Sequence, residues 1–328
     1  MSEERLMSKK KPAYPVNQAL DDYLEHYSRK IEIPIFYDDL LRFSGSVVVY
    51  DNNDEDTLWI RALNVDAVDF CTFGNSKPFR IKIRNILNDN FTYFYIKKTD
   101  ASRIYGLELE HMLSPYNLNF LVYKDTLIEE HIAGIPGDEF IKNMLPKCTE
   151  PEKAQLAKEF VKFNERCMIR LLGDMRSYNY VIVPTHDFDH VVYKIRAIDF
   201  DQQCFEGKLK VYRPQFFKEN YKMVELVRSK LKSDSVDQYK LEERSMVAKR
   251  ILSSGNRIKK LRAICKTDEI STPENIAMLR EQIEVLTMDM DFKSCTTMGQ
   301  VLDLALNFVR RNYEDVSMKQ IIENNIKI

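Results

Sequence analysis

The sequence predicts an α+β protein. Two observations carry that reading. Short segments rich in Val, Ile, Phe and Tyr, parted by turn residues, fill much of 45–130, and long segments with apolar residues at helical spacing fill most of 138–328. A third observation, a pair of strands at 180–198 set among the helices, marks the stretch around which the chain is organised.

Composition sets the bounds. The chain has 328 residues, 44% hydrophobic and 30% charged, enough to build one two-lobed unit or two domains. Its net charge of −1 gives no bulk attraction to nucleic acid or to an acidic membrane. No apolar run approaches membrane-spanning length, and the start, MSEERLMSKKKPAYP, lacks the apolar core of a signal peptide. Six cysteines (71, 148, 167, 204, 265 and 295) lie scattered with no C-x-x-C pair, which fits reduced thiols in the cytoplasm. The expectation is a cytoplasmic protein with no nucleic-acid and no membrane partner.

The elements follow in order. Residues 1–44 are predicted as an N-terminal helical extension, with a helix over 17–30 (Leu20, Tyr23, Leu24, Tyr27) and a second short helix or irregular cover over 35–43. Strands are predicted over 46–50, 58–63, 79–86 and 90–98, separated by Asp51-Asn-Asn-Asp, Gly74-Asn-Ser-Lys-Pro and Asn88-Asp89. A helix follows over 101–113. Steps of 100° put Glu108 on its apolar face and Glu110 nearly opposite, as a solvated charge. A strand pair at 120–123 and from 126 leads through Gly134 and Gly137 to a helix near Asp138. The amphipathic segment 152–170 (Leu156, Phe160, Phe163, Cys167, Ile169) predicts a helix that runs into Gly173-Asp174. Further helices are predicted over 214–231, 238–253, 272–287 and 298–313, and Lys259-Lys-Leu-Arg-Ala263 reads as a solvated helix face.

The central stretch runs from Arg170 to Gln202: an acidic loop, a strand, a polar turn, a second strand and a second acidic loop. The segment Pro184-Thr-His-Asp-Phe-Asp-His190 reads as a polar hairpin tip rather than a metal site. With the turn centred on Asp187, residue 199 returns opposite 175, and Asp199 comes beside Asp174. Two carboxylates and the Asn179 amide at one end of a hairpin offer hard oxygens to a divalent cation such as magnesium.

These residues resemble a family. Asp174-Met-Arg-Ser-Tyr-Asn179 has the D-x-x-x-x-N spacing of the protein-kinase catalytic loop, and Asp199-Phe-Asp201 is similar to its D-F-G element. The G-D followed by I-D-F-D looks closest to the aminoglycoside-phosphotransferase, atypical small-molecule-kinase branch. Tyr93-Phe-Tyr-Ile-Lys-Lys98 resembles the V-A-I-K strand, with Lys97 after the Ile.

The resemblance implies a two-lobed fold: an antiparallel β small lobe (45–137) and a mainly helical large lobe (138–328) around ATP and magnesium. It makes Asp174 the base or orienting group for an acceptor hydroxyl and puts Arg176 at the transferred phosphate. Asn179 and Asp199, with Asp201 as an added ligand, hold magnesium on the phosphates. Lys97 grips the phosphates and pairs with Glu108, and Glu130, His131 and Ile132 form the linker whose backbone meets adenine. The reaction implied is transfer of the γ-phosphate to a hydroxyl of a small molecule or protein.

The chain departs from the pattern in having no G-x-G-x-x-G before the Lys strand, Leu172 in the usual His position, Asp201 for Gly and no A-P-E. Three other readings stay open on these residues: a catalytically degenerate nucleotide-binding or scaffold protein, nucleotidyl transfer on the same fold, and a helical interaction protein.

Overall fold

The computed structural model describes residues 63–71, 78–85, 88–98, 100–123, 126–187 and 190–313. The expected helices at 17–30 and 35–43 and the strand at 46–50 lie outside them. The chain is α+β and divides into two compact units, one of 1–99 with 119–131 and the other of 100–118 with 132–328.

The first unit is an antiparallel sheet: β1 (Leu63–Phe70), β2 (Phe79–Asn85), β3 (Phe91–Lys98), β4 (Phe120–Tyr123) and β5 (Thr126–Glu130), in the order β1-β2-β3-β5-β4. Period-2 alternation decides its faces. Ile81, Ile83, Phe94, Ile96 and Ile128 fill one face as a buried cluster. At roughly 1.5–3 kcal/mol for each fully buried side chain, this cluster is the main force holding the unit together. The other face pairs Arg80 with Tyr95, Lys82 with Tyr93 and Arg84 with Phe91. There Arg80 lies 5.2 Å over the Tyr93 ring, and Lys82 lies 4.4 Å over that of Phe91.

Of the strand expected at 58–63, residues 58–62 lie outside the described residues; β1 runs from 63 to 70. Its acidic residues are cross-strand partners, Asp69 to Arg80 at 2.8 Å and Asp66 to Arg84 at 3.0 Å.

The second unit begins with α1 (Ala101–Leu113), whose N-cap Asp100 accepts from the Arg103 amide at 2.8 Å. Its buried face includes Tyr105, Leu107, Leu109 and Leu113. Glu110 is buried there too, paired with the equally buried Arg170, so the expectation of a solvated Glu110 is corrected. The periodicity places Glu110 off the apolar stripe, but a second packing surface covers it.

The long helix α2 (Glu150–Arg170) opens with a capping box, in which Thr149 and Glu152 satisfy each other's backbone amides. Then come β7 (Tyr180–Asp187) and β8 (His190–Ala197), with the two-residue β6 (Ile135–Pro136) on the outer edge of β7.

The remaining helices are α3 (Tyr221–Lys230), α4 (Ser233–Ser253), α5 (Gly255–Thr267), α6 (Pro273–Thr287) and α7 (Met298–Tyr313). Ile251, Leu261, Leu279, Phe292, Leu302 and Leu306 belong to their shared core. One difference from the sequence reading stands out. Residues 214–220 are short 3-10 turns, and the helix begins only at 221. The cause is Asn220, fully buried, whose amide donates to the Pro214 and Met175 carbonyls at 2.7 and 2.9 Å. The basic stretch near 259 lies on α5, which buries Ile258, Leu261 and Cys265. All six cysteines are buried free thiols, and no helix among the described residues is long and apolar enough to cross a membrane.

Candidate functional site

The β7–β8 hairpin and its continuation build the site within the second unit. After α2 the chain turns at Leu171, which has a left-handed φ of 55°. It then meets the segment that follows β8. Cys204 N donates to Leu171 O at 2.9 Å, Gly173 N donates to Gln202 O at 3.1 Å, and Leu172 bridges Gln203. On the hairpin side, Ile198 N donates to Asn179 O at 3.1 Å, next to the pair Tyr180–Ala197. Two closed ladders therefore bracket two open loops, 174–178 and 199–201. The acidic motifs occupy those loops.

The register differs from the expected one. Asp187 pairs with His190, so the hairpin is not centred on Asp187. Continued past the strand ends, that register sets residue 199 opposite 178 rather than 175. Pro184, Thr185, His186 and Asp187 were read as turn and are strand. At Pro184 one strand edge has no neighbour among the described residues, because β6 pairs only with 181 and 182.

Asp174 is a non-glycine residue with φ 53°. That conformation costs roughly 1–2 kcal/mol and needs outside support. The support is on hand: Asp174 N donates to Val211 O at 3.2 Å, and Asp174 O accepts from Arg176 N at 2.8 Å and from Asn179 Nδ2 at 2.7 Å. The Asp174 side chain accepts from Arg176 Nε at 2.8 Å. Arg176 in turn donates to Glu219 Oε1 at 3.1 Å and lies 5.1 Å over the Phe217 ring. Arg176 thus aims Asp174, and Asn179 holds the loop that carries it.

Asp199 Oδ1 accepts from Asp201 N at 3.3 Å. Between these acids Phe200 is buried against α1, where Gly106 leaves room for it. Burial pushes the Asp201 carboxyl up to about 6, and the charges of Asp199 and Asp174 add to the rise while Arg103 opposes it. Arg103 stands 3.5 Å from Asp201. Asp201 therefore feels the charges of both Asp199 and Asp174, a repulsion of the kind a divalent cation relieves. A cavity of about 340 Å³ opens beside Asp201, walled by the first turn of α1, Gln202, Phe205 and Glu269. Among the described residues, no three His, Cys, Asp or Glu side chains stand ready as a complete metal cage. Magnesium asks for less, since it keeps several waters and binds through one or two carboxylates plus phosphate. Asn179, Asp199 and Asp201 supply hard oxygens of that kind.

In the first unit Lys97 Nζ lies 2.7 Å from Glu129 Oε2, both side chains being buried. Glu108, in the second unit, takes a two-pronged bond from Arg257 at 2.8 and 3.0 Å. Each member of the expected Lys97–Glu108 pair thus has a partner inside its own unit. Of the expected linker, Glu130 N donates to Asn119 O at 3.0 Å and His131 N to Tyr93 O at 2.8 Å. These two amides serve the sheet and are not available to adenine. The His131 ring lies 6.1 and 5.6 Å from those of Tyr93 and Tyr95, and Ile132 belongs to the second unit.

Sequence reasoning missed Glu129 and Glu219. Strand alternation carries a signal for Glu129, two places from Leu127 on the Lys97 face of β5. Glu219 sits in irregular chain and leaves none. No family model matches the chain, and no curated protein matches its sequence.

Proposed function

We propose that the chain is an ATP- and magnesium-dependent phosphotransferase of two-lobed, protein-kinase-like fold, moving the γ-phosphate to a hydroxyl of a small molecule or protein in the cytoplasm. One observation carries the reading. The loops with D-x-x-x-x-N and D-F-D, far apart in sequence, are bracketed by the same two ladders, so that Asp174, Asp199 and Asp201 share one field. Such convergence is what positioning and charge neutralisation in phosphoryl transfer require.

In this reading Asn179, Asp199 and Asp201 would hold magnesium, which neutralises phosphate charge when bound. Asp174 orients the acceptor hydroxyl and takes its proton. Arg176 fixes the rotamer of that carboxylate and adds positive charge beside the acceptor. Lys97 contributes a cation for the phosphates.

One observation favours a second reading, a nucleotide-binding protein without turnover: the metal oxygens form no complete cage. Assay of purified protein for ATP consumption with and without magnesium, beside Asp199→Asn, separates the two. Magnesium-dependent turnover lost in Asp199→Asn supports transfer. Thermal stabilisation by Mg–ATP without any consumption supports the second.

A further inference from the structure

In the protein kinases that the sequence resembles, the phosphate-binding lysine is oriented by a helix glutamate. Here Lys97 is held from the neighbouring strand. We propose that Glu129 is the positioning residue for Lys97, so that the small sheet alone presents the lysine, already oriented, to the nucleotide. The proposal deepens the phosphotransferase reading and rests on it.

Register fixes the pair. β3 and β5 run antiparallel with Tyr95 opposite Glu129 and Lys97 opposite Leu127. Lys97 and Glu129 are therefore diagonal neighbours on one face, within reach of long side chains. The opposite face locks that register, because Ile96 pairs with Ile128 and both are buried together with Phe94. A slip of one residue would turn those apolar side chains out and bring Lys97 into their place.

The ion pair is 2.7 Å long, and its side chains are only 7% and 8% exposed. A pair so deeply buried loses much of its Coulombic gain to desolvation, so stability alone does not account for it. What it does supply is orientation. It confines a four-carbon stem with many rotamers to one direction.

The helix side of the usual arrangement is committed elsewhere. Glu108 is bound by Arg257, Glu110 by Arg170, and Gly106 packs on Phe200. A lysine held by its own sheet needs no helix movement to be turned on.

The test is a double-mutant cycle on Mg–ATP affinity, measured by calorimetry on the full chain. The expected result is at least tenfold weaker binding in Lys97→Ala and in Glu129→Gln. The double variant should lose no more than the weaker-binding single variant, since the two act as one unit. The cycle between Lys97 and Glu108 should close additively.

Thermal denaturation of each variant separates a fold defect from a positioning defect. A glutamate that serves only the fold would lower the melting temperature and leave no coupling in affinity. If Glu129→Gln does not fold, Glu129→Asp and the uncharged pair Lys97→Met with Glu129→Leu take its place in the cycle.

Additive losses, or full affinity in Glu129→Gln, would overturn the proposal and leave the phosphotransferase reading standing. Absence of Mg–ATP binding by the wild-type chain would overturn both.

Discussion

Phe200 and Gly106 meet so closely that a methyl group built on Gly106 would lie 2.8 Å from the Phe200 Cβ. The glycine sits in the middle of α1, where it costs about 1 kcal/mol against alanine. Its value is to let the acidic loop 199–201 seat on the helix. Gly106→Ala gains helix propensity and loses more to overpacking, roughly 1–3 kcal/mol. The expected outcome is a lower melting temperature and weaker ATP turnover, because a displaced Phe200 drags Asp199 and Asp201 with it. Gly106→Leu should be worse on both measures. Thermal denaturation and turnover on the same samples check this.

The Glu110–Arg170 pair joins α1 to the end of α2, just before the turn at Leu171. Both side chains are almost wholly buried. Removing one partner leaves an uncompensated charge, so Arg170→Met should cost about 3–5 kcal/mol. Replacing both by Met and Leu should recover most of that loss. Urea denaturation of the two singles and the double gives the coupling directly. Additive losses would mean that the pair is not the joint described here.

Much of the fold was legible. The limits of α1 could be read from its periodicity, because that signal is local. The end of α2 was legible for the same reason, as the apolar spacing stops where the acidic loop begins. What could not be read depended on distant partners. Glu110 looked solvated because Arg170 lies sixty positions away. The strand over 64–70 was not read, since Asp66 and Asp69 suit a sheet only with Arg80 and Arg84 beside them. At the site, the residue types and the joining of the two loops followed from the hairpin. The register did not, since Thr185, His186 and Asp187 are polar and a turn accepts them as readily as a strand. The partner of Lys97 was missed for a different reason. Helix spacing pointed to Glu108, but the pairing of β3 with β5 decides which carboxylate the lysine meets.

The charge on Asp201 gives stability a pH dependence of its own. Its carboxyl titrates near 6 in the fold, against 3.8 for an ordinary aspartate. A raised folded value means that the native chain holds its proton more tightly than the unfolded chain between those limits. The resulting stability is present in full below about pH 4 and is lost as pH rises through 6. Without divalent ions, Asp201→Asn should therefore be more stable than wild type at pH 7.5, by roughly 3 kcal/mol, and the two should converge near pH 4. Adding magnesium at pH 7.5 should stabilise wild type more than the variant. Melting curves across that pH range, with and without the metal, check both statements. A wild-type minus variant difference that is flat with pH would show that the three acids do not share a field.

Asp199 is the sharpest test of the site because the fold asks little of it. Its described bond is one acceptance from the Asp201 amide at 3.3 Å, and an asparagine oxygen can take that over. Asp199→Asn should leave the melting temperature within a few degrees of wild type while turnover falls by about a hundredfold or more, since a charge aimed at the phosphates' metal is gone. Asp174→Asn should act likewise on turnover. It should cost more stability, because the Asp174 carboxylate also holds Arg176, which lies on Phe217 and reaches Glu219. The two variants thus separate two roles within one acidic field. In the proposed reading one carboxylate would face the cation alone, and the other would also anchor the wall on which the acceptor rests. Undiminished turnover in folded Asp199→Asn would remove the metal from this site and the phosphotransferase reading with it.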